Sequence, residues 1–141
     1  MTISVWLRMA AVLSLLFAAG HSAGGVSLWS PPGETAVLQA MREFQFDAMG
    51  TNRSYLDFYL GFGRTISVYQ LLQAAILWQL AGLAKKDPQA VRPVIAAFLL
   101  AGVAFTVLAW RYFFVLPVIL NLALLVCLGA AFFVAGKGEK V

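Results

Sequence analysis

The chain has 141 residues, of which 62% are hydrophobic and 11% are charged. Because about a quarter of the residues of a soluble domain are charged, this composition excludes an ordinary water-soluble domain and any separate soluble catalytic module. The formal net charge is +4, but the basic residues form no dense patch and several stand at the ends of apolar runs. Nucleic acid is therefore not an expected partner. The single cysteine, Cys127, excludes an intrachain disulfide.

Four apolar segments predict four membrane-spanning helices. A helix rises about 1.5 Å per residue, so roughly 20 apolar residues cross a hydrocarbon core of about 30 Å. The apolar run after residue 94 is too long for one crossing, so we expect a turn at residues 110–114, with Pro117 opening the return helix. The predicted fold is an all-α, four-helix transmembrane bundle in a single domain, residues 1–141. Its spans cover about residues 3–23, 60–83, 94–109 and 117–135.

The first span has an alternative interpretation as a cleaved signal peptide over residues 1–23. Arg8 would then form the positive region and residues 10–19 the apolar region. Three spans would remain, with the same orientation. We expect the four-span arrangement, because an apolar run before the basic residue is unusual in a signal peptide.

Positive charge predicts which ends of the spans face the cytoplasm. The linker between spans two and three carries Lys85, Lys86 and Arg92 against one acid, and two further lysines lie in the C-terminal tail. Because cytoplasmic loops are enriched in Lys and Arg, we expect a multi-pass protein with both termini inside. Aromatic residues then fall at both boundaries, as in an aromatic belt: Trp29, Tyr55 and Trp110 at the outer one, Trp6 and Trp78 near the inner one.

The outer linker, at about residues 26–53, contains a predicted amphipathic helix at residues 34–49. A Pro-Pro-Gly sequence at residues 31–33 breaks the chain before this helix, and Gly50 is placed to end it. Phe46 is an exception that points away from the apolar face. The helix is expected to lie flat on the outer membrane surface or to cover the open end of the bundle as a lid. The residues that form its apolar face at helical spacing are Val37, Leu38, Met41, Phe44, Ala48 and Met49.

Polar side chains near the outer ends of the spans predict a partly hydrated cleft. An ionisable group inside a span costs about 2.5–3.5 kcal/mol on insertion scales, so its position is informative. Each span brings a polar group to a similar depth, and span two carries a face of small and polar residues that should turn away from lipid. We therefore expect an outward-facing, ligand-binding cleft lined by His21, Asp57, Tyr59, Ser67, Gln70, Arg111 and Asn121.

Each of these residues also has a structural interpretation. Asp57 and Arg64 share a helix face and can cancel each other's charge, and Arg111 can reach toward lipid phosphate. The polar residues of span two can hold helices together, and a lone His21 is more often a satisfied interface residue than a ligand. The convergence of all these groups at one depth favours the cleft.

No catalytic, nucleotide-binding or metal motif is recognisable. Gly61-Phe62-Gly63 follows no predicted strand and is not a dinucleotide loop. His21 has no cysteine or carboxylate partner nearby in sequence. We therefore predict no catalytic residue, no metal ligand and no cofactor.

Four sequence blocks together resemble a group of small, uncharacterised bacterial four-helix membrane proteins. They are Gly20-His21, residues 41–44, the run from residue 53 to residue 63 that contains Leu56-Asp57-Phe58-Tyr59, and the run at residues 110–113. The resemblance covers most of the chain and implies a four-helix protein of a bacterial inner membrane. It implies no activity. The architecture is also similar to four-helix families that bind lipophilic molecules or act on quinones and sterols, an analogy of fold only.

Three functions remain open. The leading expectation is a non-enzymatic protein that binds a membrane lipid or small lipophilic ligand. His21, Asp57 and Arg111 would supply charge, and Tyr59 and Trp110 would supply aromatic walls. The second is an accessory subunit that packs against a partner membrane protein or another copy of itself, through small residues such as Gly102. The third is a membrane-embedded enzyme that uses His21 and Asp57 as acid and base.

Overall fold

Four of the helices are long and apolar enough to cross a membrane, which confirms the predicted all-α fold with four candidate spans. The computed structural model describes residues 1–24, 33 and 35–137. Its elements are α1 (Ile3–Gly24), α2 (Ala36–Glu43), β1 (Gln45–Asp47), β2 (Asn52–Ser54), α3 (Tyr55–Leu83), α4 (Pro88–Tyr112) and α5 (Val115–Gly136).

Some features predicted from the sequence lie outside the described residues. These are the Pro-Pro pair at residues 31–32, the outer-boundary Trp29, the first residue of the predicted linker helix, Glu34, and one of the two tail lysines, Lys140.

The chain forms two compact units. The first unit comprises Met1–Phe17 and Gln70–Val141, and the second comprises Ala18–Tyr69. Both α1 and α3 contribute residues to each unit.

The first unit has a core to which four helices contribute. Leu7, Leu77, Ile95 and Leu128 come from α1, α3, α4 and α5, and each has no exposed surface. The first half of α1 and the start of α4 share this core with the last parts of α3 and α5. Neighbouring helices therefore run antiparallel in the first unit, as short connections require.

The outward surfaces of the long helices are apolar. Leu16, Leu100, Val107 and Phe133 are each more than half exposed. Exposed apolar residues in this number are unusual for a protein surrounded by water. Polar side chains, in contrast, are found inside, as at Ser14. This distribution fits helices whose outer surfaces face lipid.

The connections between helices follow local chemistry. Asp87 caps α4 by accepting hydrogen bonds from the backbone N–H groups of Gln89 and Ala90, and Pro88 takes the first helical position, where its missing N–H costs little. The connection between α4 and α5 is shorter than predicted, because α4 continues through Tyr112. Pro117 lies at the third position of α5 instead of opening it.

The outer linker contains a β-hairpin that the sequence analysis did not predict. The amphipathic helix α2 ends at Glu43 rather than near residue 49. Residues 45–47 then pair antiparallel with residues 52–54. The hairpin turns through Met49 and Gly50, whose φ angles of 56° and 86° fit the two-residue turns that connect twisted strands. Gly50 therefore serves a hairpin turn and does not end a helix.

Candidate functional site

Asp57 closes a capping box at the start of α3. Its Oδ2 atom accepts hydrogen bonds from the Ser54 backbone N–H at 2.8 Å and from the Ser54 hydroxyl at 3.0 Å. Ser54 Oγ in turn accepts a hydrogen bond from the Asp57 N–H at 3.2 Å. This exchange satisfies donors of the first turn that have no partner within the helix. The sequence carries a local signal for this box, a Ser-x-x-Asp pattern before an apolar run.

The contacts of α3 place Asp57 away from the predicted partner His21. The hydrogen bonds of the Asp57 carboxylate go to Ser54 and not to Arg64. His21 contacts Ser67, which follows Asp57 by ten residues, or about 15 Å along a helix axis. This separation disfavours His21 and Asp57 as an acid–base pair acting on one substrate.

A small polar cluster joins the end of α1 to the middle of α3 within the second unit. The Nδ1 atom of His21 lies 3.0 Å from Ser67 Oγ, and the Ser22 hydroxyl donates to the same oxygen at 3.0 Å. Gly63 lies beside the imidazole, and a Cβ at this position would make an ordinary van der Waals contact of 3.8 Å with His21 Cε1. The pairing of Ser22 with Ser67 could not be predicted from the sequence, because it depends on how the two helices are rotated.

Asn121 holds α5 against α4 in the first unit. Its side-chain amide donates to the Gly102 carbonyl at 2.7 Å and to the Thr106 hydroxyl. Thr106 also donates to that carbonyl at 2.8 Å. Gly102 is buried, and a Cβ there would lie 2.7 Å from a methyl carbon of Leu125. Gly102 therefore makes a contact within the chain, and enlarging it is not a clean test of a partner interface.

The remaining predicted cleft residues have different surroundings. Gln70 is buried in the first unit, and its Oε1 has no hydrogen-bond partner among the described residues. Tyr59 is partly buried, whereas Arg111 is exposed. The structure thus brings His21 and Ser67 together. Asp57 bonds to Ser54 at the start of α3, and Asn121 bonds to α4. That all seven residues line one cleft stays a prediction.

A row of five aromatic rings crosses the second unit. It begins at the end of α2, passes over β1 and continues along the first two turns of α3, where the spacing of three and four residues puts side chains on one helix face. Phe46, the exception to the predicted helical pattern, stacks on Phe58 at 5.8 Å and 13°. Successive ring centroids are 5.0–6.4 Å apart. The aromatic row consists of Phe44, Phe46, Tyr55, Phe58 and Phe62.

An apolar groove lies beside the aromatic row, between α2 and the first residue of α3. It has a volume of about 490 Å³. Val37 is 70% exposed and Phe44 is 58% exposed, so the groove is open at the surface of the unit. Polar side chains such as the hydrogen-bonded pair Gln39 and Glu43 lie outside it. The groove is lined by Ala36, Val37, Ala40, Met41, Phe44 and Tyr55.

Within residues 1–24, 33 and 35–137, no group of three or more His, Cys, Asp or Glu side chains is arranged to hold a metal ion. The lining of the apolar groove likewise contains no ionisable side chain other than the Tyr55 phenol. The groove and the aromatic row can therefore supply shape, apolar contact and ring stacking to a ligand.

Comparisons with known proteins give no further guide to this site. No protein-family model matches the chain, no curated protein matches it, and no solved structure matches it. The resemblance to small bacterial four-helix membrane proteins stays a prediction.

Proposed function

We propose that the chain is an integral membrane protein that binds a lipid or another small lipophilic molecule in the apolar groove. The observation that carries this proposal is the position of the groove. Tyr55 is both a groove wall and the first residue of the candidate span α3. An apolar concave surface at the start of a membrane span lies where lipids meet water, and tyrosine is enriched at that boundary.

The groove has the chemistry of a lipophilic site. Burying apolar surface is favourable by roughly 25 cal/mol per Å², so a ligand that covers the exposed Val37, Phe44 and Tyr55 side chains gains affinity from burial. The aromatic row extends this apolar surface along α3. A ligand with a flat ring or an extended chain would contact both surfaces.

The proposed setting is a bacterial inner membrane with both termini in the cytoplasm. Lys85 and Lys86 in the connection between α3 and α4, together with Lys137 after α5, support this orientation through the positive-inside rule. The groove, at the opposite end of α3 from the two lysines, would then face outward.

Ala40→Trp tests the proposal by filling the groove with another apolar group. Native mass spectrometry of gently solubilised protein would measure the lipid or other small molecule retained by the wild type and by the variant. We expect Ala40→Trp to retain several-fold less ligand, because the indole occupies the space of the ligand. Val37→Asp should have the same effect by placing a charge on the groove wall. Arg42→Gln, on the same helix but outside the groove lining, is the matched control and should retain the ligand.

The filled variant separates a ligand site from simple membrane contact. If α2 only rests on the membrane surface, the added indole of Ala40→Trp would preserve or strengthen the interaction. Undiminished ligand retention by Ala40→Trp, with normal helicity by circular dichroism, would therefore overturn the groove as the binding site.

A further inference from the structure

Arg92 is a partly buried cation on α4 that packs against α5. Its guanidinium carbon lies 4.3 Å from the centroid of the Phe132 ring, within the range of a cation–π contact. The Nε atom is buried and has no hydrogen-bond acceptor among residues 1–24, 33 and 35–137. A charged donor without an acceptor is costly away from water. An anion bound next to the Arg92 guanidinium would therefore be stabilising.

The Arg92 guanidinium occupies a space between Gly136 and the Phe132 ring. A Cβ on Gly136 would lie 3.1 Å from both Cζ and Nη2 of Arg92, so the glycine provides the space that the guanidinium occupies. Phe132 covers one face of the group, and the backbone of α5 lies beside its end. Arg92 is therefore positioned before any ligand arrives, which lowers the entropy cost of binding.

The surrounding end of the first unit is positively charged. Core residues Ala84, Val91 and Ala135 bring the end of α3, the start of α4 and the end of α5 together. In the described residues of the first unit, Asp87 is the one acid, and its Oδ1 atom accepts the two hydrogen bonds that cap α4. The lysines next to these helix ends are Lys85, Lys86 and Lys137, all exposed.

We propose that this end of the first unit binds the phosphate of an anionic phospholipid, with Arg92 as its anchor. A guanidinium donates paired, charge-assisted hydrogen bonds to phosphate oxygens, and basic pockets between membrane helices bind anionic head groups. A lipid is favoured over a soluble phosphate because Phe133, beside the ring that supports Arg92, is 70% exposed and offers an apolar surface to an acyl chain. This site is separate from the proposed groove and does not depend on it.

The test compares binding of phosphatidylglycerol and phosphatidylcholine to the full chain in neutral detergent, measured lipid by lipid in native mass spectrometry. Wild type should prefer phosphatidylglycerol several-fold, because both lipids carry the phosphate but the choline ammonium of phosphatidylcholine is repelled by the positive charge of Arg92. Arg92→Gln should reduce this preference to near unity. Arg53→Gln, which removes an exposed arginine of the hairpin, is the matched control and should keep the preference.

A second variant distinguishes loss of the binding site from misfolding of Arg92→Gln. Gly136→Ala keeps every charge but pushes a methyl group against the guanidinium, so it should lower the preference several-fold while helicity stays normal. An equal preference in wild type, Arg92→Gln and Arg53→Gln would overturn the proposal. Displacement of the lipid by glycerol 3-phosphate at equal concentration would also overturn it, since the site would then recognise a soluble anion. Failure of the groove variants in the earlier experiment has no bearing on either result.

Discussion

Asn121→Ala is expected to destabilise the protein without emptying its ligand site. The substitution removes two hydrogen bonds between α5 and α4, one to the Gly102 carbonyl and one to the Thr106 hydroxyl. Hydrogen bonds between membrane helices contribute about 0.6 kcal/mol on average and up to about 1.7 kcal/mol each. Because Asn121 is 4% exposed, water does not replace them, and we expect a loss of about 1–3 kcal/mol in the free energy of unfolding.

The measurement is unfolding by increasing SDS in mixed micelles, followed by circular dichroism. Thr106→Val removes one of the two acceptors and should cost less than Asn121→Ala. The double variant should cost less than the sum of the two single variants, because the two side chains share a hydrogen bond. Leu122→Ala changes the exposed neighbour of Asn121 and serves as the control, with little expected change.

One result would refute the reasoning. If Asn121→Ala unfolds at the same SDS content as wild type and loses its bound small molecule, then Asn121 lines a binding cleft. Its hydrogen bonds to α4 would in that case contribute nothing measurable to stability.

Other local contacts give predictions of the same kind. Ser54→Ala should destabilise the start of α3 by about 1 kcal/mol through loss of the N-cap, seen as faster amide hydrogen exchange in its first turn. Gly50→Ala should destabilise the hairpin by about 1 kcal/mol, because the φ angle of 86° is strained for an L side chain. Met49→Asn should stabilise the hairpin, since Asn-Gly is the favoured pair in such turns; amide exchange across the two strands would report both changes. Ser67→Ala should shift the NMR signal of the His21 ring by removing its 3.0 Å contact.

Substitutions at the same or neighbouring positions serve as controls for these predictions. Thr65→Val removes a hydroxyl whose hydrogen bond, among the described residues, goes to the Gly61 carbonyl of its own helix, and it should leave the His21 signal unchanged. Ser54→Asn retains an N-capping group and should restore most of the lost protection. An unchanged exchange rate in Ser54→Ala, or slower exchange in Gly50→Ala, would contradict the capping and turn assignments.

The long helices could be predicted from the sequence because their signal is local. An apolar run of sufficient length predicts a span whatever its neighbours are, and Asp87 with Pro88 starts α4 where the polar linker ends. The hairpin could not be predicted in the same way. Residues 44–49 have apolar spacing compatible with a helix, and the partner strand is a three-residue polar segment. Pairing across the turn, rather than local periodicity, decides their structure.

The candidate site was less predictable because its contacts depend on helix rotation. The sequence placed polar groups near the ends of spans, but it could not show that His21 contacts Ser67 or that Asn121 bonds to α4. Capping at Asp57 was a local signal that could have been found. The groove required knowledge that α2 ends early, since this brings Phe44 next to Tyr55 at a ring distance of 5.6 Å.

The antiparallel packing of the first unit also constrains how the chain enters a membrane. The start of α1, the end of α5 and the connection between α3 and α4 lie at one end of this unit. A reporter domain fused before Met1 and one inserted between Lys85 and Lys86 should therefore be delivered to the same compartment.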